Sequence, residues 1–225
     1  MRSGSRYCKI FLLLFLPALL SCEKDNTPTV VTDIDGNIYQ TVDIGDQVWM
    51  AENLKTTRFS DGTEIRLISK NQDWLKSHEP AFSWYNNDSS LFRDPYGALY
   101  NGYTATDERI CPVGWHVPSA AEIKQLISSL GDSLTAGGRL KTEGLAQWHY
   151  PNTGADNSSG FTALPAGLRY FEGTFSSLSY FTAFWTTTEA DSSACYFLGL
   201  SYLDALASLT QRQKKNGFSI RCVRD

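Results

Sequence analysis

The chain has 225 residues, 42% of them hydrophobic and 20% charged, a balance that suits one globular domain and excludes an intrinsically disordered chain, a collagen, a coiled coil or a multi-span membrane protein. Its 20 Lys and Arg stand against 24 Asp and Glu, and three of the basic residues (Arg2, Arg6 and Lys9) but none of the acidic ones fall in the first 21 positions, so the rest of the chain carries a net charge of −7. The longest basic run is Lys214-Lys215. Nucleic acid is therefore not an expected partner, because phosphate contacts need clustered cations. Aromatic residues make up 13% of the chain, which fits a loop-rich β domain and also fits sugar binding.

Residues 1–21 read as a signal peptide: a positive start, an apolar stretch from Ile10 to Leu20, and the small Ser21 before a cysteine. That stretch is too short for a bilayer core of ~30 Å, which takes about 20 helical residues. The tetrad Leu19-Leu20-Ser21-Cys22 resembles the lipobox of bacterial lipoproteins, which implies that Cys22 receives a diacylglycerol and becomes the new amino terminus. Several acyl chains at ~0.8 kcal/mol per buried CH₂ hold such a protein stably at a membrane. Residues 22–31, short, polar and broken by Pro28, read as a tether. Glu23 and Asp25 beside Lys24 loosely resemble signals that send lipoproteins of some gut bacteria to the outer surface. The expected location is the cell envelope, at the outer membrane, with a single domain over residues 32–225.

Asp33-Ile34-Asp35-Gly36-Asn37 hints at calcium, but no Glu stands at the twelfth position of an EF-hand loop, and a DG turn is the better reading. Ile38, Val42 and Ile44, then Val48 and Met50, flank Gly45-Asp46. Gly in the first central position is what a type II′ turn requires, so a β-hairpin is expected. Ser119 with Glu122 three residues on forms a capping box, and Ile123, Leu126, Ile127 and Leu130 fall at helical spacing, predicting a helix over 119–130 that ends near Gly131. Gly137-Gly138 suggests a turn or helix start, with a second short helix over 138–142.

Gly131-Asp132-Ser133-Leu134 has the look of a GDSL esterase nucleophile block. A nucleophilic serine needs a base oriented by a carboxylate, and the one histidine after Ser133, His149, has no Asp three residues before it. Ser133 thus reads as part of a polar helix exit. His78, His116 and His149 are too scattered for a short-spaced metal pair. Beyond residue 160 short runs rich in Gly, Ser, Thr and rings read as short strands joined by turns. One or two helices on irregular antiparallel strands make an α+β architecture. With Cys8 removed alongside the signal and Cys22 lipidated, Cys111, Cys195 and Cys222 remain. Three is odd, so at least one is free.

The run Cys-Pro-Val-Gly-Trp-His-Val-Pro-Ser (111–119), GFTALPAGLRYFEGTF (160–175), FWTTTE (184–189) and GFSIRCVRD (217–225), with VWMAENLKTT near the start, resembles the Fibrobacter succinogenes major paralogous domain. The CPxGW opening and RCV end are similar in turn to the C-type-lectin-like fold, also used by formylglycine-generating enzyme and by phage receptor-binding proteins. The resemblance implies an exported, often lipid-anchored domain with no established activity. It also implies a Cys111–Cys222 disulfide, with Cys195 buried and free. In C-type-lectin-like folds the region from the WTTTE-like block to the last strand presents side chains that vary without disturbing the core. Here that region offers Glu189, Asp191, Tyr196, Tyr202, Asp204 and Arg212 as ligand-binding candidates, since rings stack on sugar C–H faces and carboxylates accept hydroxyl bonds. EPN, QPD and WND triplets are missing, so the calcium–sugar site of true C-type lectins is unsupported. No cofactor, metal or catalytic residue is expected. The reading is a lipid-anchored binding or adhesion module without catalysis, whose partners are the membrane and a glycan or surface protein. A structural envelope or appendage component and a carbohydrate-active hydrolase are the other readings.

Overall fold

A computed structural model describes residues 30–225. The expected signal peptide, the expected lipidation residue Cys22 and most of the expected tether lie outside the described residues. Strand β1 (Val30–Thr32) pairs with β2 (Ile38–Ile44), so Val30 and Val31 belong to a sheet and not to the tether. The predicted hairpin is present: β2 pairs with β3 (Gln47–Met50) through the two-residue loop, Ile44 stands opposite Gln47, and Gly45 takes φ +61°. Ile38 is exposed and its neighbour Tyr39 is buried, opposite to the simple alternation read from the sequence, because Tyr39 enters one core while the face of Ile38 and Ile44 is covered only toward Ile44. Trp49 enters one hydrophobic core and Met50 the other, as side chains one apart on a strand must when each face has a core of its own.

After β3 the chain runs through β4 (Arg66–Leu67), helix α1 (Asn71–Lys76), β5 (Ala81–Ser83), α2 (Ser89–Tyr96), β6 (Leu99–Asn101), α3 (Gly102–Ala105) and β7 (Trp115–His116). Helix α4 (Ala120–Ser129) has the predicted capping box: Ser119 Oγ accepts from Glu122 N, and Glu122 returns to Ser119 N. Ile123, Leu126 and Leu130 are buried, as the spacing requires. Helix α5 runs Ser133–Leu140, earlier than the expected 138–142. Asp132 caps it, accepting from Leu134 N and Thr135 N, so the Gly-Asp-Ser stretch opens a helix instead of closing one. Gly137 and Gly138 lie inside that helix. A Cβ on Gly137 would come within 2.4 Å of Leu206 O, and one on Gly138 within 2.2 Å of Gly154 O; both glycines are there for close approach of backbone.

The remaining strands are β8 (Ala166–Arg169), β9 (Phe175–Leu178), β10 (Phe181–Asp191), β11 (Ala194–Ser201), β12 (Ser208–Gln213), β13 (Gly217–Phe218) and β14 (Val223–Arg224). A five-stranded sheet has the order β1-β2-β3-β14-β7. The nine-stranded sheet runs β12-β11-β10-β8-β13-β6-β5-β4, with β9 beside β8. The architecture is α+β, with five α-helices among the described residues where one or two were expected. The strands after residue 160 are not uniformly short either, since β10 spans 11 residues and β11 spans 8. Along this hairpin Phe184 and Leu198 face the core under α4 and α5, whereas Trp185 and Phe197 face the other.

Cys111 and Cys222 form a disulfide across a sequence separation of 111, as the family resemblance implied. A loop of that size corresponds to about 4–5 kcal/mol of loop-closure entropy. Cys195 is buried and free, and burial pushes its thiol up to about 11, which leaves it inert.

Two arginines and a lysine are buried beside irregular backbone without a carboxylate bonded to them. Arg221 is fully buried, donates to Phe161 O and to Asn53 Oδ1 at 2.7 Å, and stacks on Phe161 with 4.1 Å to the ring centroid. Burial pulls it down to about 9, so it stays a cation at neutral pH. Replacing it by Leu leaves those acceptors unpaired, and at roughly 1–3 kcal/mol for each such group Arg221→Leu is expected to destabilise the fold by about 3 kcal/mol in urea melts. A midpoint within error of the parent's would show that these bonds are dispensable.

Candidate functional site

The β10–β11 hairpin ends in a turn at Asp191, whose Oδ1 accepts from Ser193 N at 2.7 Å and Ser193 Oγ at 2.8 Å. Those bonds hold its carboxyl below the usual carboxylate range. The register slips between Trp185 and Glu189 and again before Asp191. Such bulges re-aim a strand end, and this one docks against helix α4: Thr188 Oγ1 accepts from Ala120 N and Pro118 O from Thr187 N.

The β8–β9 turn, Tyr170 to Gly173, borders the same surface. Gly173 takes φ +100°, and a Cβ there would lie 2.6 Å from Asn71 Cα, so the turn is seated on the start of α1. Arg169 pins it from inside. Its buried guanidinium donates to the carbonyls of Gly173, Ile68 and Ser69, and lies 4.3 Å from the Trp74 ring centroid and 4.7 Å from that of Phe175. The core beneath the turn is already filled by Arg169 and its rings. Tyr170 and Phe171 both stay outside, Phe171 with 44% of its surface exposed.

Two adjoining hollows share Phe171, Ser193 and Gln213. One, of about 490 Å³, is lined also by Tyr170, Asp191, Gln211, Arg212 and Asn216. The other, of about 460 Å³, is lined by Leu75, His78, Tyr103, Ser192 and Lys215. Lys215 Nζ donates to Leu75 O, and Trp74 Nε1 donates to Lys215 O, fixing α1 to the segment after β12. A larger cleft of about 820 Å³ lies along β4, between Arg58, Arg66 and the buried rings of Phe82 and Trp84, away from the residues singled out in the sequence.

The six candidates do not form one site. Asp191 and Arg212 line the first hollow. Glu189 sits next to it, with its carboxylate 2.6 Å from the buried Lys214 Nζ, which also lies over Tyr103. Tyr196 pairs with Gln211, on the strand face opposite to the Cys195–Arg212 pair, and lines neither hollow. Tyr202 and Asp204 lie beyond the other end of β11, about 25 Å away at ~3.3 Å per strand residue. There Tyr202 joins His149 and Tyr180, while the Asp204 main-chain carbonyl accepts from Lys141 Nζ and its Oδ1 from Leu206 N. Sequence reasoning missed Tyr170, Phe171, Tyr103 and Lys214. The pair of rings just ahead of Gly173 was the available signal, since consecutive aromatics at a hairpin turn cannot both be core.

Residues 42–224 match the Fibrobacter succinogenes major domain. The chain belongs to that family. No curated protein and no solved structure matches it. The Fibrobacter succinogenes major domain thus extends here from β2 to β14 and includes both hollows and the whole β10–β11 hairpin.

Within this domain the other residues singled out in the sequence have structural partners of their own. Asp33 accepts from Asp35 N, Asn37 N, Asn37 Nδ2 and Tyr39 OH, and Asp35 from Thr56 Oγ1, Thr57 N, Thr57 Oγ1 and Arg58 Nε. Their oxygens organise the DG turn at Gly36, which takes φ +82°. Ser133 opens α5 and its carbonyl accepts from Ala207 N. His78 Nδ1 lies 3.4 Å from Tyr103 OH.

His116 is held between two acids, with Nδ1 at 2.6 Å from Asp225 Oδ1 and Nε2 at 2.8 Å from Glu122 Oε1. Burial works against its charge, but the bonds to Asp225 and Glu122 outweigh it and raise its pKa above the ordinary 6.5. Burial likewise opposes the Glu122 carboxylate, and the bonds from Ser119 and His116 prevail, holding it below 4.5. A raised histidine stabilises the fold fully below its unfolded pKa and loses that contribution as pH rises through the folded value. A depressed carboxyl acts in the opposite sense on the acid side. The triad therefore contributes fully only between about pH 4.5 and 6.5. Comparing Tm at pH 6 and pH 8.5, His116→Gln should lose more stability at pH 6; an equal loss at both would remove the imidazolium from the account.

Proposed function

We propose that this Fibrobacter succinogenes major domain is a non-catalytic binding module of C-type-lectin-like fold, held at the bacterial cell envelope by lipid on Cys22, and that it takes a carbohydrate in the groove around Phe171. The observation that carries the reading is an exposed Phe171 on a rigid turn, bordered by Asp191, Arg212, Gln211 and Gln213. A sugar presents a C–H face to such a ring and hydroxyls to such polar groups. Among the described residues lining the two hollows, Asp191 supplies the one carboxylate, whereas glycoside hydrolysis uses a facing pair; this favours binding over turnover. The fold assignment draws support from the way the opening hairpin and the closing strand β14 share one sheet, with a disulfide joining the middle of the chain to its end.

The full chain in detergent, printed against a glycan array, is expected to bind at least one glycan class and to lose that signal tenfold or more in Phe171→Ala. An array blank for the parent, or one indifferent to Phe171→Ala and Asp191→Asn, would sink the groove as a sugar site. Mass spectrometry of the amino-terminal peptide from native membranes is expected to show a diacylglycerol on Cys22; an unmodified thiol there would overturn the anchor.

A further inference from the structure

The loop between α5 and β8, residues 141–165, is long and nearly free of regular structure, yet it is tied down from within. Lys141 Nζ, fully buried, donates to Thr153 O, Ser201 O and Asp204 O at 2.8–3.0 Å, so one ammonium joins this loop to the end of β11. Its three donors match three acceptors. Trp148 is buried and donates from Nε1 to Ala163 O, and Asn152 Nδ2 donates to Thr142 O and Gly144 O. Long unstructured loops in compact domains are commonly functional, and rigidity lowers the ordering cost of binding.

The outer side of this loop carries His149 and Tyr150 next to Tyr180, just before β10, and Tyr202, just after β11. His149 stacks on Tyr180 with 4.6 Å between centroids and 24° between planes. Tyr202 stands at 87° to both, 5.1 Å from Tyr180 and 5.6 Å from His149. Tyr150 is 73% exposed and Tyr180 42%. His149 Nδ1 donates to Tyr150 O at 2.8 Å, which leaves Nε2 as a free acceptor. The hydroxyls of Tyr150, Tyr180 and Tyr202 bond to no other described residue. A stacked pair of rings with a third ring as an upright wall, fringed by four unused polar atoms, is a surface for a ligand that is flat and apolar on its faces and hydroxylated at its rim.

The geometry points to a second saccharide-binding surface formed by His149, Tyr150, Tyr180 and Tyr202, at the opposite end of the β10–β11 hairpin from Phe171. It rests on the proposed function for ligand class only, because no residue is shared between the two places. Two sites about 25 Å apart, near the two ends of one long hairpin, make the domain bivalent for long glycans, with a gain in apparent affinity set by the spacing.

The test is the same glycan array read with the full chain, three single variants and one double variant. Tyr180→Ala is expected to lower the signal for at least one bound glycan tenfold or more, while Tyr180→Phe keeps it, since stacking needs the ring. Phe171→Ala should leave a residual signal that Tyr180→Ala then abolishes in the double variant. Signals unmoved by Tyr180→Ala, or a parent that binds no glycan, overturn the second surface. Complete loss in Phe171→Ala alone also overturns it while preserving the groove, and complete loss in Tyr180→Ala with no effect of Phe171→Ala does the reverse. Should Tyr180→Ala unfold, as far-ultraviolet circular dichroism would show, Tyr150→Ala at the most exposed ring replaces it, with the same outcomes read in the same way.

Discussion

Positive charge buried among backbone carbonyls holds the irregular half of this domain in place. Arg221, Arg169 and Lys141 are each enclosed by loops and bonded to main-chain or amide oxygens. A loop packed inside a protein carries carbonyls that no ladder satisfies, and leaving them bare costs free energy comparable to a lost hydrogen bond. A guanidinium offers five donors and an ammonium three, so one side chain can satisfy several carbonyls at once. Burial pulls Lys141 down to about 8 and Arg169 to about 10, but carbonyl dipoles and the rings of Trp148, Trp74 and Phe161 face the charges where an acid would otherwise be required.

Each of these cations governs a different surface. Arg169 supports the turn that displays Phe171, Lys141 the loop that displays His149, and Arg221 the join between the 160s block and the segment leading to the last strand. The disulfide adds a covalent tie at Cys222, one residue beyond Arg221. The scaffold thus gains rigidity from inside, while the exposed rings Phe171, Tyr150 and Tyr180 belong to neither core. That division lets a binding face vary with little cost to folding.

Legibility followed the range of the interactions. The capping box at Ser119 and Glu122 and the turn at Gly45 are decided within four residues, and both were readable. Asp191 and Arg212 were found because they lie in the stretch from the WTTTE-like block to the last strand that the resemblance marks as variable, but nothing local says that Tyr196 points to the other face or that Tyr202 lies a hairpin's length away. The slip in β10 register breaks the simple alternation on which such a guess depends. Gly137 and Gly138 mislead for a related reason: local rules treat paired glycines as a breaker, whereas here the carbonyls of Leu206 and Gly154 need the missing Cβ space.

Residue order alone determined the α+β class, the family, the first hairpin and the main helix, because periodicity and capping act over one or two turns of chain. The Cys111–Cys222 pairing was reached through the family blocks that contain both residues. Only the tertiary structure decided that Phe171 and Tyr180 are exposed rings, set at two separate places. Exposure is a property of what packs alongside, and for these rings the neighbours come from α1, the 141–165 loop and the far end of a long hairpin.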